Sequence, residues 1–370
     1  MSNFHVALKK VVDDSYDIET GYHLEETLLE DLKHHLAGEI KKFVVVTDDI
    51  VEKLYAQKIV SMLKEAGYTC DCIVIPAGEE FKTRKQKEYI EDTMLEKGYR
   101  RDCCMIAVGG GVVTDIVGFT AGTFARGIPF INYATTLLAA ADASIGGKTA
   151  VDTQLATNLI GLFHQPQKVY IDIATWETLP KRQLISGLSE TIKHACMRDK
   201  TFFTYLEEHM EDIFAIDHEV CSHIAAENCR VKYEVVMKDE KESSYREILN
   251  LGHTVGRAIE TVSGYRLLHG EALGIGMVAQ VRLGYYYGYL TKEEMLRVIA
   301  LIQKAGLPTD IPDYIEKEAL VKKLYTDKKV KDGKLRFVFQ KGIGDIMEFE
   351  NETYAKPVPE EDIRKIIYEM

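Results

Sequence analysis

The sequence has no run of 18 consecutive apolar residues, the minimum for a membrane-spanning helix. Its N-terminus, "MSNFHVALKKVVDD", also lacks the apolar core of a secretory signal peptide. Apolar residues make up 46% of the 370 residues and charged residues 28%, a balance typical of globular proteins in water. We therefore expect a cytoplasmic protein that binds no membrane, with a length that suits two domains.

Paired cysteines and an excess of basic residues are also missing. The seven cysteines form no C-x-x-C pair, and those in "CDC" and "CC" lie in apolar, strand-like segments, so we expect buried, reduced thiols. The formal net charge of −12 argues against a nucleic-acid partner. An anionic ligand would therefore need a local cluster of cations.

The order of the predicted elements indicates an α/β fold followed by a helical region. Strand-like and helix-like segments alternate over the first 180 residues, as in a parallel sheet with helical crossovers. We place the domain boundary near Leu179 and Pro180, which gives domains at 1–179 and 180–370. The predicted strands cover 41–49, 70–80, 103–111, 128–136 and 168–176, with helices at 51–67 and 83–98. Later helices are predicted at 184–199, 201–215, 218–238, 248–262 and 270–288, and 327–350 predicts a basic loop and a short hairpin.

Three predicted strand ends carry groups that suit a dinucleotide. The segment "GGGVVTD" (109–115) follows a strand and opens a helix, so its backbone can approach a phosphate closely. The segments "TDD" (47–49) and "GEEFK" (78–82) add hydroxyl-seeking carboxylates and Lys82. The glycine run is not the G-x-G-x-x-G fingerprint, and tight packing of a strand on a helix explains such a turn equally well. Both interpretations stay open on this evidence.

Three residues on separate predicted helices have the ligand types of a catalytic zinc site. Glu190 lies in "GLSETIKHA", His253 in "ILNLGHTVGRAIE" and His269 in "YRLLHGEA". One carboxylate and two imidazoles leave a coordination position open for a substrate. The spacing matches no H-E-x-x-H pattern, and a lone histidine is more often a core or surface residue, so spacing alone leaves the metal undecided.

Basic residues gather around the same elements. Lys148 is the most unusual of them, because it lies in "ADASIGGKTAVD" (141–152), a run otherwise built of small and apolar residues and two acids, Asp142 and Asp152. Each cation taken alone is more often a solvated charge. The others are Lys193, Lys232, Arg246, Arg257, Lys328 and Lys329.

These segments together resemble the sugar-phosphate cyclases, and most closely the 3-dehydroquinate synthase branch. The similarity runs from about Thr47 to Ile346 and includes "PAGEEFKT", "ATTLLAAADASIGGKTAVD", "NLIGLFHQP" and "LLHGEA" besides the segments above. The resemblance implies a Rossmann-like NAD-binding domain at the N-terminus and a mainly α-helical domain for metal and substrate at the C-terminus. The active site would lie in the cleft between them.

The resemblance also implies a role for individual residues. Arg126 in "FARG" would reach the site of the neighbouring subunit, so we expect a homodimer. NAD would contact Asp48, Glu79, Lys82, Gly110, Gly111, Asp115, Thr135, Thr136 and Thr178. Zn²⁺, with Co²⁺ as a substitute, would be held by Glu190, His253 and His269. Catalysis would use Asp142, Lys148, Lys193 and Arg257, and substrate binding would use Arg126, Asn158, Lys232, Arg246, Asn250 and Lys329.

The activity implied in this way is the conversion of 3-deoxy-D-arabino-heptulosonate 7-phosphate to 3-dehydroquinate and phosphate. Transient oxidation by NAD⁺ would acidify a neighbouring C–H, phosphate would leave by β-elimination, NADH would return the hydride, and an intramolecular aldol step would close the ring. Arg246 with Lys232 suits the substrate carboxylate. Lys148, Lys329, Asn158 and Asn250 suit the phosphate.

The sequence departs from the family pattern at several positions. Thr157 replaces a lysine, and Arg257 replaces a histidine; Thr114 and Ala134 replace a glycine and a proline. Arginine binds phosphate with two hydrogen bonds but is no base at neutral pH, so we expect Arg257 to bind phosphate and the substrate phosphate to take the proton. The departures keep open a related cyclase acting on sedoheptulose 7-phosphate or glucose 6-phosphate. A metal-dependent polyol dehydrogenase and a catalytically silent binding protein are further alternatives.

Overall fold

The N-terminal half is built around a sheet of six strands. The structure is a computed structural model that describes residue 5 and residues 12–153, 155–325, 330–331 and 334–370. The elements up to residue 172 are β1 (Asp17–Gly21), α1 (Glu25–Lys33), β2 (Lys42–Asp48), α2 (Gln57–Glu65), β3 (Thr69–Ile75), α3 (Arg84–Glu96), β4 (Cys103–Gly109), α4 (Gly111–Thr123), β5 (Phe130–Ala134), β6 (Lys148–Val151), β7 (Ile160–Phe163) and β8 (Lys168–Asp172).

The six-stranded sheet is parallel throughout and has the order β1-β8-β5-β4-β2-β3. Its central strands are apolar on both faces because helices cover both. Val45 and Ile106 belong to the cluster of side chains under α1 and α2, whereas Val44 and Met105 belong to the cluster under α3 and α4. The chain passes from β2 to β3 on one side and then to β4 on the other. This reversal opens a crevice at the carboxyl ends of β2 and β4, where α/β sheets bind ligands.

Two parts of this half were not predicted. β1 adds a parallel strand at the sheet edge beside β8, and α1 follows it. β6 and β7 form a separate antiparallel hairpin in which Lys148 lies opposite Phe163. The lysine that drew attention in the sequence therefore begins a short strand. The predicted helix at 51–67 is a π-helical turn at Glu52–Ala56 followed by α2.

The C-terminal half is mainly helical. The predicted helix at 248–262 is shorter, because Tyr245–Asn250 forms a 3₁₀ turn and Gly252 adopts a left-handed φ of 75° before α8 begins. The hairpin prediction is met in part by a three-stranded antiparallel sheet, in which Lys334–Val338 pairs with Val330–Lys331 on one side and Ala355–Val358 on the other. Residues 326–329 and 332–333 lie outside the described residues. The elements are α5 (Lys181–Arg198), α6 (Lys200–Phe214), α7 (His218–Lys238), α8 (His253–Val262), α9 (His269–Tyr286), α10 (Lys292–Lys304), α11 (Lys317–Leu324), β9 (Val330–Lys331), β10 (Lys334–Val338), β11 (Ala355–Val358) and α12 (Glu360–Glu369).

The protein thus has the predicted fold class, a Rossmann-like α/β domain followed by a mainly helical one. The largest cluster of buried side chains joins Val169 and Ile171 of β8 to Leu188 and Ile192 of α5. The boundary near Leu179 stays a prediction. All seven cysteines are free; six are buried and Cys72 is half-buried. Among the described helices, none has the length and apolar character needed to cross a membrane.

Candidate active site

The three predicted metal ligands come together from three helices. The Nε2 atom of His269 lies 3.2 Å from Oε1 of Glu190, and Nε2 of His253 lies 3.4 Å from the same oxygen. One ligand atom from each residue lies within 4.8 Å of the other two. Ligands at the usual zinc distance of about 2.0–2.1 Å stand roughly 3.3–3.4 Å apart around a tetrahedral ion. The donor set and its spacing therefore fit a zinc ion.

Close contacts between helices hold these ligands in place. Gly270 follows His269 and donates its N–H to Ser186 Oγ at 3.0 Å, which brings the start of α9 against α5 and Glu190. A Cβ atom at Gly270 would overlap the carbonyl oxygen of Ser186. A Cβ atom at Gly276 of α9 would likewise overlap the carbonyl oxygen of Gly252, immediately before α8. The absence of side chains at these positions allows the helices to meet at the ligand site.

The charge states of Glu190 and His253 also suit a cation. Burial raises the pKa of Glu190, but Lys193, whose ammonium group contacts Oε2, and the two histidines hold it well below its usual range. Burial lowers the pKa of His253 to about 3. Burial also lowers the pKa of His269, but Glu260 and Glu190 outweigh this and raise it to about 10. Glu190 and His253 therefore present lone pairs, whereas His269 carries a proton on each nitrogen between two carboxylates and must release the Nε2 proton to bind an ion.

Two adjoining cavities open beside the ligands. The larger has a volume of about 540 Å³ and the smaller about 110 Å³. His253 and His269 line the smaller cavity together with Lys82. The larger cavity is lined by eight predicted residues: Asp115, Asp142, Lys148, Asn158, Lys232, Arg246, Asn250 and Arg257. Four of the predicted residues, Asp115, Asp142, Asn158 and Arg257, line both, so the cofactor side and the substrate side meet.

Asp142 and Lys232 form a pair at the floor of the larger cavity. Asp142 lies in a π-helical turn at Ala139–Ala143, and its carboxylate contacts the ammonium group of the buried Lys232. Burial raises the pKa of Asp142, but Lys232 outweighs it and lowers the value. Asp142, Glu190 and a ring nitrogen of His194 also lie within 4.8 Å of one another. This second group is less suited to a cation, because Lys232 already neutralises Asp142 and Nδ1 of His194 forms a hydrogen bond with Asn228.

Glu242 is a site residue that the sequence did not reveal. Its carboxylate contacts the Lys148 ammonium group and accepts a hydrogen bond of 2.9 Å from Asn250 Nδ2. Asp239 shapes this loop by accepting backbone hydrogen bonds from Ser243, Ser244 and Arg246. The stretch "KDEKESS" (238–244) carries charge of both signs and no motif, so no signal marked Glu242 in the sequence.

Arg246 lines the larger cavity, yet two nitrogens of its guanidinium group donate hydrogen bonds to backbone carbonyl oxygens of the protein. Nη1 donates to the carbonyl oxygen of Glu240 at 2.6 Å, and Nη2 donates to that of Gly146 at 3.0 Å. Gly146 lies in the turn before Lys148 and has a φ of 94°. Arg246 therefore braces the turn that presents Lys148, and its predicted contact with a substrate carboxylate stays a prediction.

The predicted NAD contacts lie at or just beyond the carboxyl ends of strands. Lys82 Nζ lies 2.7 Å from Asp115 Oδ2 and 3.3 Å from Glu79 Oε1. Burial lowers the pKa of Lys82, but these two carboxylates raise it above its usual value. No side chain caps the N-terminus of α4, which begins at Gly111, so its N–H groups face the crevice without a side-chain acceptor.

Hydroxyl groups connect the ends of β5 and β8. Thr175 Oγ1 donates to the carbonyl oxygen of Thr135 at 3.1 Å, and Thr178 Oγ1 lies 2.5 Å from the hydroxyl of Tyr55. Thr136 Oγ1 accepts the N–H of Ala139, and Asp48 Oδ1 accepts those of Ile50 and Val51. Gly110 packs against Thr136, whose side chain a Cβ atom at that glycine would crowd. These residues border the crevice but do not line the two cavities.

Arg126 does not line either cavity, and Lys329 lies outside the described residues. Arg126 is exposed, with a left-handed φ of 69°. The smaller cavity includes further residues that the sequence did not assign to it, Glu260 and Tyr265. Glu260 is the last residue of "NLGHTVGRAIE", one of the segments that carry the family resemblance, but the sequence analysis predicts no role for it.

Two family models match most of the chain. The model of the 3-dehydroquinate synthase N-terminal region matches residues 72–186, and that of the C-terminal region matches residues 187–330. The chain belongs to the 3-dehydroquinate synthase family. The resemblance proposed from the sequence is therefore confirmed.

Relatives in the 3-dehydroquinate synthase family align over most of their length. The chain is 43% identical to the 3-dehydroquinate synthase of Desulforamulus reducens over 328 residues, which cover 88% of this chain and 90% of the relative. It is 40% identical to that of Thermoanaerobacter pseudethanolicus over 354 residues, which cover 95% and 97%. Such coverage places both domains in one family.

Solved structures extend the similarity to other cyclases. The 2-epi-5-epi-valiolone synthase of Streptomyces hygroscopicus subsp. jinggangensis, solved with NAD⁺ and Zn²⁺ bound, is 27% identical, with a TM-score of 0.87 and coverage of 99% of both chains. The NADH-dependent butanol dehydrogenase A of Thermotoga maritima covers 97% of this chain and 98% of its own at 15% identity and a TM-score of 0.65. The second likeness shows only that dehydrogenases share the fold.

Proposed function

We propose that the protein is a 3-dehydroquinate synthase, which converts 3-deoxy-D-arabino-heptulosonate 7-phosphate to 3-dehydroquinate and phosphate with NAD⁺ and Zn²⁺. The observation that carries the proposal is the meeting of Glu190, His253 and His269 at 3.2–3.4 Å beside a cavity lined by cations. Relatives that are at least 40% identical over most of the chain carry this name. The cytoplasm is the expected compartment.

Glu190, His253 and His269 would hold the zinc ion, and the crevice at the ends of β2 and β4 would hold NAD. When bound, the ion supplies Lewis acidity at a substrate oxygen, and NAD⁺ accepts and later returns a hydride. The cyclase with NAD⁺ and Zn²⁺ bound, at 27% identity, supports this pair of cofactors. Lys193 keeps Glu190 anionic, and Lys82 with Asp115 forms the wall between the cofactor and the ligand site.

The cations of the larger cavity orient a doubly anionic substrate. Lys148, Asn250 and Arg257 present charge and donors to a phosphate, and the buried Lys232 and Arg246 line the same cavity and suit a carboxylate. Arg257 has no hydrogen bond or ion pair through its guanidinium group with other described residues, so its donors are free for a ligand. The Arg257 side chain stays protonated at neutral pH and cannot accept a proton. In this proposal the substrate phosphate therefore accepts the proton from the C–H group next to the transient ketone.

A homodimer belongs to the proposal because Arg126 lies away from the site of its own chain. Its guanidinium group is exposed at a turn with left-handed backbone at both Ala125 and Arg126. A residue held in such a conformation is costly by about 1–3 kcal/mol and is typical of a functional position. We assign Arg126 to the substrate site of the partner subunit.

A related cyclase acting on a sugar phosphate without a carboxylate is the second candidate. This candidate is favoured by Arg246, because two of its guanidinium nitrogens donate to backbone carbonyl groups and not to the cavity. Release of phosphate should be measured with NAD⁺ and Zn²⁺ for three substrates: the heptulosonate phosphate, sedoheptulose 7-phosphate and glucose 6-phosphate. If kcat/KM is highest for the heptulosonate phosphate, the main proposal is supported. If it is higher for either sugar phosphate that lacks a carboxylate, the second candidate is supported and the main proposal is contradicted.

A further inference from the structure

The imidazole ring of His269 lies between two carboxylates, one on each of its nitrogens. Nε2 lies 3.2 Å from Glu190 Oε1, and Nδ1 lies 3.4 Å from Glu260 Oε2. Glu260 is on α8, whereas His269 is the first residue of α9. The contact therefore spans the turn that joins the two helices.

We propose that Glu260 is a positioning residue for the metal site: it accepts the Nδ1–H of His269 and so fixes both the ring orientation and the tautomer. When the ring is neutral, as it must be to bind an ion, Nε2 is then the unprotonated nitrogen, and it is directed at Glu190 and His253. A carboxylate behind a histidine ligand also makes the ring nitrogen a stronger donor to a cation. This inference rests on the proposed function to the extent that the function requires the ion.

The surroundings of Glu260 favour this role over a packing role. Its side chain is largely buried and lines the smaller cavity beside His253 and His269. Within the part of the chain that the structure describes, His269 Nδ1 is the hydrogen-bond partner of its carboxylate. Arg257, one turn earlier on α8, forms no ion pair with Glu260. The carboxylate is therefore committed to the histidine, and Arg257 stays available for a substrate anion.

The decisive experiment measures Zn²⁺ binding directly. Metal-free protein and its variants compete with a chromogenic chelator for Zn²⁺, which yields a dissociation constant without any measurement of activity. Glu260→Leu keeps the approximate volume but removes the acceptor, and we expect Zn²⁺ affinity to fall about 10- to 100-fold. Glu260→Gln keeps an oxygen that can accept from Nδ1–H, and we expect a loss of only a few fold.

Asp152→Asn is the matched control. Asp152 also lines the smaller cavity, but its carboxylate accepts the backbone N–H of Asn158 and contacts neither histidine. Zn²⁺ affinity should be unchanged in this variant. Melting of the metal-free proteins verifies that each variant folds, and Glu260→Ala replaces Glu260→Leu if the latter does not.

The outcomes separate this inference from the proposed function. Equal Zn²⁺ affinity in the unsubstituted protein and in every Glu260 variant would overturn the positioning role alone. An equal loss of Zn²⁺ affinity in Glu260→Gln and Glu260→Leu would also overturn the positioning role, because the effect would then not depend on a hydrogen-bond acceptor. An unsubstituted protein that binds no Zn²⁺ would contradict both the inference and the proposed function.

Discussion

The ammonium group of Lys148 contacts the carboxylate of Glu242 in the larger cavity. Asn250 donates a hydrogen bond of 2.9 Å to the other oxygen of that carboxylate. Two residues predicted to bind a phosphate thus converge on one anionic group within the protein. Their geometry is that of an anion-binding site, and an incoming phosphate must share or replace the contacts of Glu242.

The charge of Lys148 leads to a prediction about pH. Partial burial lowers its pKa to about 8, although Glu242 opposes the change. A lysine with a lowered pKa is protonated below that value and loses its charge as the pH rises through it. We expect the KM for the phosphorylated substrate to rise above about pH 8, with a smaller change in kcat. Steady-state kinetics between pH 6.5 and pH 9.5 provide the test.

Two variants serve as controls for this pH effect. Lys148→Arg stays protonated throughout the range, so its KM should not rise near pH 8. Glu242→Gln removes a charge that raises the pKa of Lys148, so the rise in KM should move to lower pH. A KM that is flat to pH 9.5 in the unsubstituted protein would refute the assignment of Lys148.

Arg257 gives a prediction that separates phosphate binding from proton transfer. Arg257→His should raise the KM roughly 10- to 100-fold, because a charge-assisted pair of hydrogen bonds contributes about 1.5–3 kcal/mol. The KM of Arg257→Lys should lie between those of the unsubstituted protein and Arg257→His, since lysine keeps the charge but loses the bidentate geometry. An Arg257→His variant with increased kcat on the heptulosonate would mean that a base, rather than an anion-binding group, is needed at this position.

The role of Arg126 predicts complementation between inactive subunits. Arg126→Ala and Lys148→Met should each abolish most activity when alone. After mixing by unfolding and refolding, mixed dimers would contain one intact site, formed by Lys148 of one chain and Arg126 of the other. Random pairing then restores about 25% of full activity. Activity that does not return, although mixed dimers are detected by mass, would place Arg126 outside the partner's site.

The contact between α8 and α9 predicts a loss of stability at one glycine and not at another. A Cβ atom at Gly276 would overlap the backbone of Gly252, so Gly276→Ala should lower the free energy of unfolding by about 1–3 kcal/mol. Gly284→Ala on the same helix meets only the flexible side chain of Leu290, and alanine favours a helix by up to about 1 kcal/mol. Denaturant unfolding of the two variants measures the difference, and similar values would refute the close contact.

The sequence was informative where function requires particular side chains in recognisable segments. Glu190, His253 and His269 could be named because each lies in a motif, and the structure brings them within reach of one ion. The parallel sheet was predictable because its central strands are apolar runs between turns. The ends of these strands follow hydrogen bonding and therefore differ by a few residues from their predicted bounds.

Other features depend on long-range contacts that a single sequence does not encode in a local pattern. Glu242 lies 94 residues from Lys148 in the chain, within a loop of mixed charge. The β6–β7 hairpin is short, and its strand at Lys148 has no alternation of apolar and polar residues. Arg246 is predicted to bind the substrate carboxylate, and its additional hydrogen bond to Gly146 emerges only when the 3₁₀ turn at Tyr245–Asn250 meets the turn before Lys148.

The proposed function requires that this protein use NAD⁺ without net oxidation of its substrate. It is tested most directly by recording phosphate release and absorbance at the NADH band in one reaction with the heptulosonate phosphate, NAD⁺ and Zn²⁺. We expect many molecules of phosphate per enzyme with no steady accumulation of NADH. Chelation should abolish the release of phosphate until Zn²⁺ is restored. Accumulation of NADH in proportion to substrate, without release of phosphate, would contradict the proposed function and identify a polyol dehydrogenase instead.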